Sequence, residues 1–102
     1  MNAMEAVNHR RVRGYILRGL NLYPTEHLNT DLIGDFVRNC GGTCLNTEIP
    51  GHLTYLQSKG YVEIEERQNP LSNSAKVIMA KITPKGVDLI EGNIGQEPGI
   101  LL

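Results

Sequence analysis

Leu53-Thr54-Tyr55-Leu56-Gln57-Ser58-Lys59-Gly60-Tyr61-Val62-Glu63-Ile64-Glu65 changes its hydrophobic period at the glycine. Before Gly60, Ile49, Leu53 and Leu56 fall at i, i+4 and i+7, which puts one apolar stripe on a short helix over 47–59. Thr47 or Asn46 can accept from the free amides at its start, and Pro50 lies in the first turn, where no donor is lost. Gly60 supplies the stop. After it, Tyr61-Val62-Glu63-Ile64-Glu65 alternates with period two, the pattern of a half-buried strand. A polar loop, Arg67-Gln68-Asn69-Pro70-Leu71-Ser72-Asn73-Ser74, leads to a second strand-like run, Lys76-Val77-Ile78-Met79-Ala80-Lys81-Ile82-Thr83. Helix, strand, polar loop and strand is the order of a recognition helix followed by a wing.

Upstream, a first helix is expected over 5–20, with Val12, Ile16 and Leu20 on one side and Arg10, Arg11 and Arg18 on the other. Pro24 pushes Tyr23 out of helical geometry and ends it. The next helix holds Leu28, Leu32, Ile33, Phe36, Val37 and Cys40 at spacings of three and four; Thr25 and Asn29 are alternative caps, and Gly41-Gly42 is its end. Thr43-Cys44-Leu45 is read as an extended piece that pairs with the wing as a third small strand. Downstream, Thr83-Pro84 is a capping hydroxyl followed by proline at the first helical position, and Gly92 closes that short helix. The expected fold is therefore α+β: a three-helix core, a two- to three-stranded wing hairpin and a short C-terminal helix. Residues 1–92 form the domain and 93–102 a tail. The tail closes on Ile100-Leu101-Leu102, for which packing on this chain, packing on a neighbour and disorder all stay open.

The exit Leu53-Thr54-Tyr55-Leu56-Gln57-Ser58-Lys59-Gly60-Tyr61-Val62 and the later Lys81-Ile82-Thr83-Pro84-Lys85-Gly86 resemble the winged helix-turn-helix superfamily over about residues 12–91. In that superfamily a leucine-rich, basic, glycine, tyrosine, valine exit and a threonine-x-x-glycine helix entry recur. With the tail Gly92-Asn93-Ile94-Gly95-Gln96-Glu97-Pro98-Gly99, the arrangement looks like small winged-helix proteins of Mu-like prophages. The resemblance implies duplex DNA binding and transcription regulation.

Composition bounds the alternatives. A chain of 102 residues is one small domain whose core gains from an oligomer interface. No apolar run is long enough to span a bilayer and no leader pattern is present, so a cytoplasmic protein is expected. The absence of Trp and the single Phe argue against an aromatic platform for single strands. Ten basic residues face eleven acidic ones, so no net positive charge attracts a polyanion. The distribution is uneven: up to Pro24, Arg10, Arg11, Arg13 and Arg18 face Glu5 alone. From 25 to 58, Arg38 faces Glu26, Asp31, Asp35 and Glu48.

No nucleophile elbow, Gly-rich phosphate loop or carboxylate pair beside a base is present, so no enzyme is expected, and no cofactor or small-molecule ligand is called for. Cys40 and Cys44, with His27 or His52 as a third ligand, raise a metal- or redox-responsive alternative. Two thiols fall short of a structural zinc set, and Cys40 is expected on its helix's apolar face. The expected DNA-contacting residues are Thr47, Glu48, Gly51, His52, Thr54, Tyr55, Ser58 and Lys59 on the helix. Arg67, Gln68, Asn69, Asn73 and Lys76 are expected to contribute from the wing. With so few cations, a homodimer is expected to double the phosphate contacts. The rival reading is a winged-helix protein-interaction module that does not bind DNA.

Overall fold

The computed structural model describes residues 2–71 and 76–102, so the expected contact Asn73 lies outside the described residues. Helix α1 spans Ala3–Leu22, longer at both ends than its periodicity suggested. Asn2 caps it by accepting from the Glu5 amide at 2.8 Å, and the chain leaves helical geometry at Tyr23. The short strand β1, Leu28–Asn29, comes next, and α2 runs Thr30–Asn39. A 3-10 turn over Asn46–Glu48 opens into α3, Ile49–Ser58. Strands β2, Val62–Gln68, and β3, Lys76–Ile82, form the wing, and α4 covers Pro84–Glu91.

The sheet is antiparallel with order β1-β3-β2. Val62 faces Ile82 and Ile64 faces Ala80, while Leu28 pairs with Ala80 on the other side. The third strand is therefore Leu28–Asn29, not the expected Thr43-Cys44-Leu45. The reason is the cap: the Asn29 side chain accepts from the Leu32 amide at 2.9 Å, so α2 begins at Thr30 and Leu28 is released to pair. Ile33 and Val37 are buried, but Leu32 is 54% exposed and Cys40 lies exposed at the helix end, against expectation. Cys44 is the buried thiol, and burial pushes its pKa up, which keeps it protonated and a poor thiolate donor.

The core gathers Val12, Ile16, Leu17 and Leu20 of α1, Ile33 and Val37 of α2, and Ile49, Leu53 and Leu56 of α3. Tyr61, Val62, Ala80, Ile82 and Leu89 close it from the sheet and α4. Gly60 joins α3 to β2 at φ 84°, a left-handed conformation that a side chain would strain. At α4 the Thr83 hydroxyl accepts from the Gly86 amide, as the sequence indicates.

Residues 93–102 fold back as a strap over α1. The Leu101 amide donates to the Arg10 carbonyl at 3.0 Å, and Ile100 enters the core at 6% exposure. The strap passes so close at Gly14 that a Cβ there would overlap the Leu101 carbonyl oxygen. That approach explains why Gly14 is buried although it has no apolar side chain to bury.

Candidate nucleic-acid interface

On α3 and the turn before it, Thr47, Gly51, Thr54 and Ser58 follow one another at i, i+4, i+7 and i+11, and all four are exposed. They form a narrow, uncharged ridge. The Thr54 hydroxyl donates to the Pro50 carbonyl at 3.0 Å and the Ser58 hydroxyl to the Tyr55 carbonyl at 2.6 Å. Their donors are spent within the helix, while their oxygens remain able to accept. Glu48, expected to meet a base, accepts from the Leu45 amide at 2.9 Å and closes the 3-10 turn instead. Gln57 is exposed beside the ridge and was absent from the sequence-based set. A glutamine side chain carries the donor and acceptor that adenine presents a match for.

Two of the expected outward residues point elsewhere. His52 is 7% exposed and faces α1, where its Nδ1 accepts from Arg13 Nε at 3.3 Å and the His9 ring meets it edge-on at 5.2 Å. Burial first, then the Arg13 and His9 charges, pull its pKa down to about 4, so it is neutral at physiological pH. Tyr55 is half-buried. The Arg13 guanidinium lies 3.9 Å over its ring, and Gly99 of the strap sits against its hydroxyl so tightly that a Cβ would overlap it. Arg13 also donates to the Gly99 carbonyl at 3.2 Å. One arginine of the first helix thus ties α1, α3 and the strap together, a role its local sequence does not announce.

The expected cations are all held by carboxylates. Lys59 Nζ lies 3.5 Å from Glu97 of the strap, whose other oxygen accepts from the Tyr61 hydroxyl at 2.9 Å. Burial, followed by the Glu97 bond, pushes Tyr61 up to about 12. Arg67 falls in β2 rather than in a loop and makes a two-bond pair with Glu65, 3.0 Å each. That pair holds the Glu65 carboxyl below its ordinary range. Lys76 lies 3.6 Å from Glu66 across the hairpin. Gln68 ends β2, and the Asn69 side chain accepts from the Leu71 amide at 2.9 Å in the turn beyond. By contrast, Arg11 and Arg18 of α1 are exposed with no side-chain hydrogen bond or ion pair among the described residues.

Among the described residues, no three His, Cys, Asp or Glu side chains group to hold a metal, and no helix is long and apolar enough to cross a membrane.

Helix-turn-helix with a hairpin wing is the architecture this geometry defines, and the comparison with solved structures agrees. A PadR family transcription regulator from hypervirulent Clostridium difficile R20291 matches with a TM-score of 0.62 at 17% identity, covering 80% of this chain and 81% of that one. At that identity the likeness is one of fold, and the fold is the winged helix-turn-helix. No protein-family model and no curated protein matches the chain.

Proposed function

We propose that the chain binds duplex DNA as a homodimeric transcription regulator. α3 would enter the major groove and the wing would flank the backbone. The observation that carries this is the ridge Thr47-Gly51-Thr54-Ser58, with Gln57 beside it and the β2–β3 hairpin adjoining. Small residues let a helix approach the base edges closely. Lys59, Arg67 and Lys76 then serve phosphates after exchanging their carboxylate partners, with Gln68 and Asn69 at the end of β2 beside them. Thr54, Ser58 and Gln57 offer the base-directed groups. His52, Tyr55 and Glu48 are assigned to holding α3 in place. The likeness of fold to a transcription regulator supports the reading. Phage genes are the proposed targets, on the resemblance of the whole arrangement, tail included, to small proteins of Mu-like prophages.

A specific observation favours a second reading, a protein-docking domain. All three cations of the expected face carry acidic partners, which suits a neutral protein surface better than a polyanion. Selection from random duplex DNA, run beside a sizing measurement, separates the two. Regulation requires an enriched motif with two half-sites, a dimer, and loss of the shift in the Lys59→Glu/Arg67→Glu variant. Absence of any enriched sequence leaves the docking reading.

A further inference from the structure

The cleft between the second half of α1 and α2 has no part in the proposed DNA face. Its walls are Gly19, Leu22, Leu28, Leu32 and Phe36, among other apolar side chains, and it encloses about 290 Å³. At Gly19 the absent side chain lets the Phe36 ring lie against the α1 backbone and form part of the cleft wall. Its rim is unusually apolar for a surface: Leu22 is 62% exposed, Tyr23 56% and Leu32 54%. One ionisable group of fixed charge lines it. Glu26 sits in the α1–β1 connection with its backbone amide bonded to the Tyr23 carbonyl. Its carboxylate has no side-chain hydrogen bond or ion pair among the described residues, in a molecule where Glu48, Glu65, Glu66 and Glu97 are all engaged.

We infer that this cleft binds a small cationic amphiphile, an aromatic ring on a short alkylamine, with the ring between α1 and α2 and the ammonium at Glu26. The size fits: a cavity of ~150 Å³ accepts benzene, so 290 Å³ leaves room for a short chain as well. It lies just under the ~300–1,000 Å³ usual for small-molecule sites, which excludes larger ligands. The chemistry fits too. Apolar walls take the ring without leaving a polar group unpaired, and the one carboxylate at the mouth selects the sign of the charge. An anionic ligand of the same shape meets Glu26 with the wrong sign and finds no cation among the lining residues.

The probes are three molecules of one shape: phenethylamine, 2-phenylethanol and phenylacetate, titrated into the isotopically labelled full chain with amide shifts followed by NMR. The amine is expected to move Gly19, Leu28, Ile33 and Phe36. It should bind about fivefold more tightly than the alcohol, the upper end for an exposed charge pair, with phenylacetate weakest. Glu26 is exposed, so Glu26→Gln leaves the fold intact and should bring the amine down to the alcohol's affinity. Equal affinities for the three probes, shifts confined to other residues, or an amine preference that survives Glu26→Gln would each overturn the inference. So would dilution-dependent shifts of the same cleft residues alongside a dimer on sizing, since a second copy would then be the occupant. None of these readouts requires DNA, so the outcome is independent of the proposed regulation.

Discussion

Gly14→Ala tests the strap with opposite signs in two backgrounds. Within an exposed helix, alanine is favoured over glycine by roughly 0.5–1 kcal/mol. Gly14, however, is buried under the Leu101 carbonyl, and the added methyl cannot coexist with the docked strap. Docking rests on the Ile100 side chain, about 2–3 kcal/mol, with roughly 2 kcal/mol more from the surface it covers. Two hydrogen bonds, Leu101 to Arg10 and Arg13 to Gly99, add about 1 kcal/mol each. Ordering three residues costs about 1–2 kcal/mol apiece, which leaves a net of about 2 kcal/mol. Gly14→Ala in the full chain should therefore destabilise by about 1 kcal/mol, docking loss less helix gain. In a chain ending at Pro98 the same substitution should stabilise by about 0.5–1 kcal/mol. Urea titrations followed by circular dichroism give all four corners of the cycle, with constant slopes checking two-state behaviour. If Gly14→Ala shifts both chains equally, within about 0.5 kcal/mol, the strap does not dock as described.

His52 sets an acid limit. The folded chain holds it neutral down to about 4, while the unfolded imidazole takes its proton near 6.5, so the unfolded state binds more protons between those values. Its contribution is complete above pH 6.5 and is lost as pH falls toward 4, about 3 kcal/mol in all. Urea midpoints across pH 4–7 should show that slope, and His52→Gln should flatten it; an unchanged slope in the variant refutes the assignment. Glu97→Gln should release Lys59 and raise duplex affinity by up to about fivefold, since a partly exposed pair is worth no more than about 1 kcal/mol. The same variant should lower Tyr61 only part of the way from about 12, since burial, the larger cause, remains; ultraviolet titration reads this whether or not DNA is bound.

Where the determinants are local, the sequence carries them. α3, the wing and α4 follow from period changes at Gly60, alternation through Val62 and Ile64, and the Thr83-Pro84 start. The inward turn of His52 was within reach: it stands three residues after Ile49 and four before Leu56, at the border of the apolar stripe. Its polarity suggests an outward position, but its place on the helix governs where it points. The third strand was not legible. A two-residue strand has no period, and Leu28 pairs only because Ala80 is brought beside it. The Arg13 cluster and the Glu97 pairs join residues 36 or more positions apart, so no window along the chain contains them. The tail's three aliphatics were conspicuous, but which surface would accept Ile100 depended on Gly14 and on core residues assembled from four helices.

The carboxylates beside Lys59, Arg67 and Lys76 decide what kind of binding this face can support. The Arg67–Glu65 and Lys76–Glu66 pairs are open to water and the Lys59–Glu97 pair is partly so, and solvent screening makes each weak enough to exchange. A phosphate offers each cation as strong a partner and releases condensed counterions as well, so exchange is favourable at low salt. The face in isolation is nearly neutral, which suppresses binding to arbitrary sequence and throws discrimination onto groove fit along the Thr47-Gly51-Thr54-Ser58 ridge. Three phosphates per subunit correspond to a slope of about −3 in log K against log salt for a monomer, and about −5 for a dimer. A slope near zero would mean that the acidic partners never leave their cations. The polar ridge would then have to meet another protein, because a helix cannot sit in a groove between two phosphate rows while its flanking lysine and arginine remain turned to carboxylates.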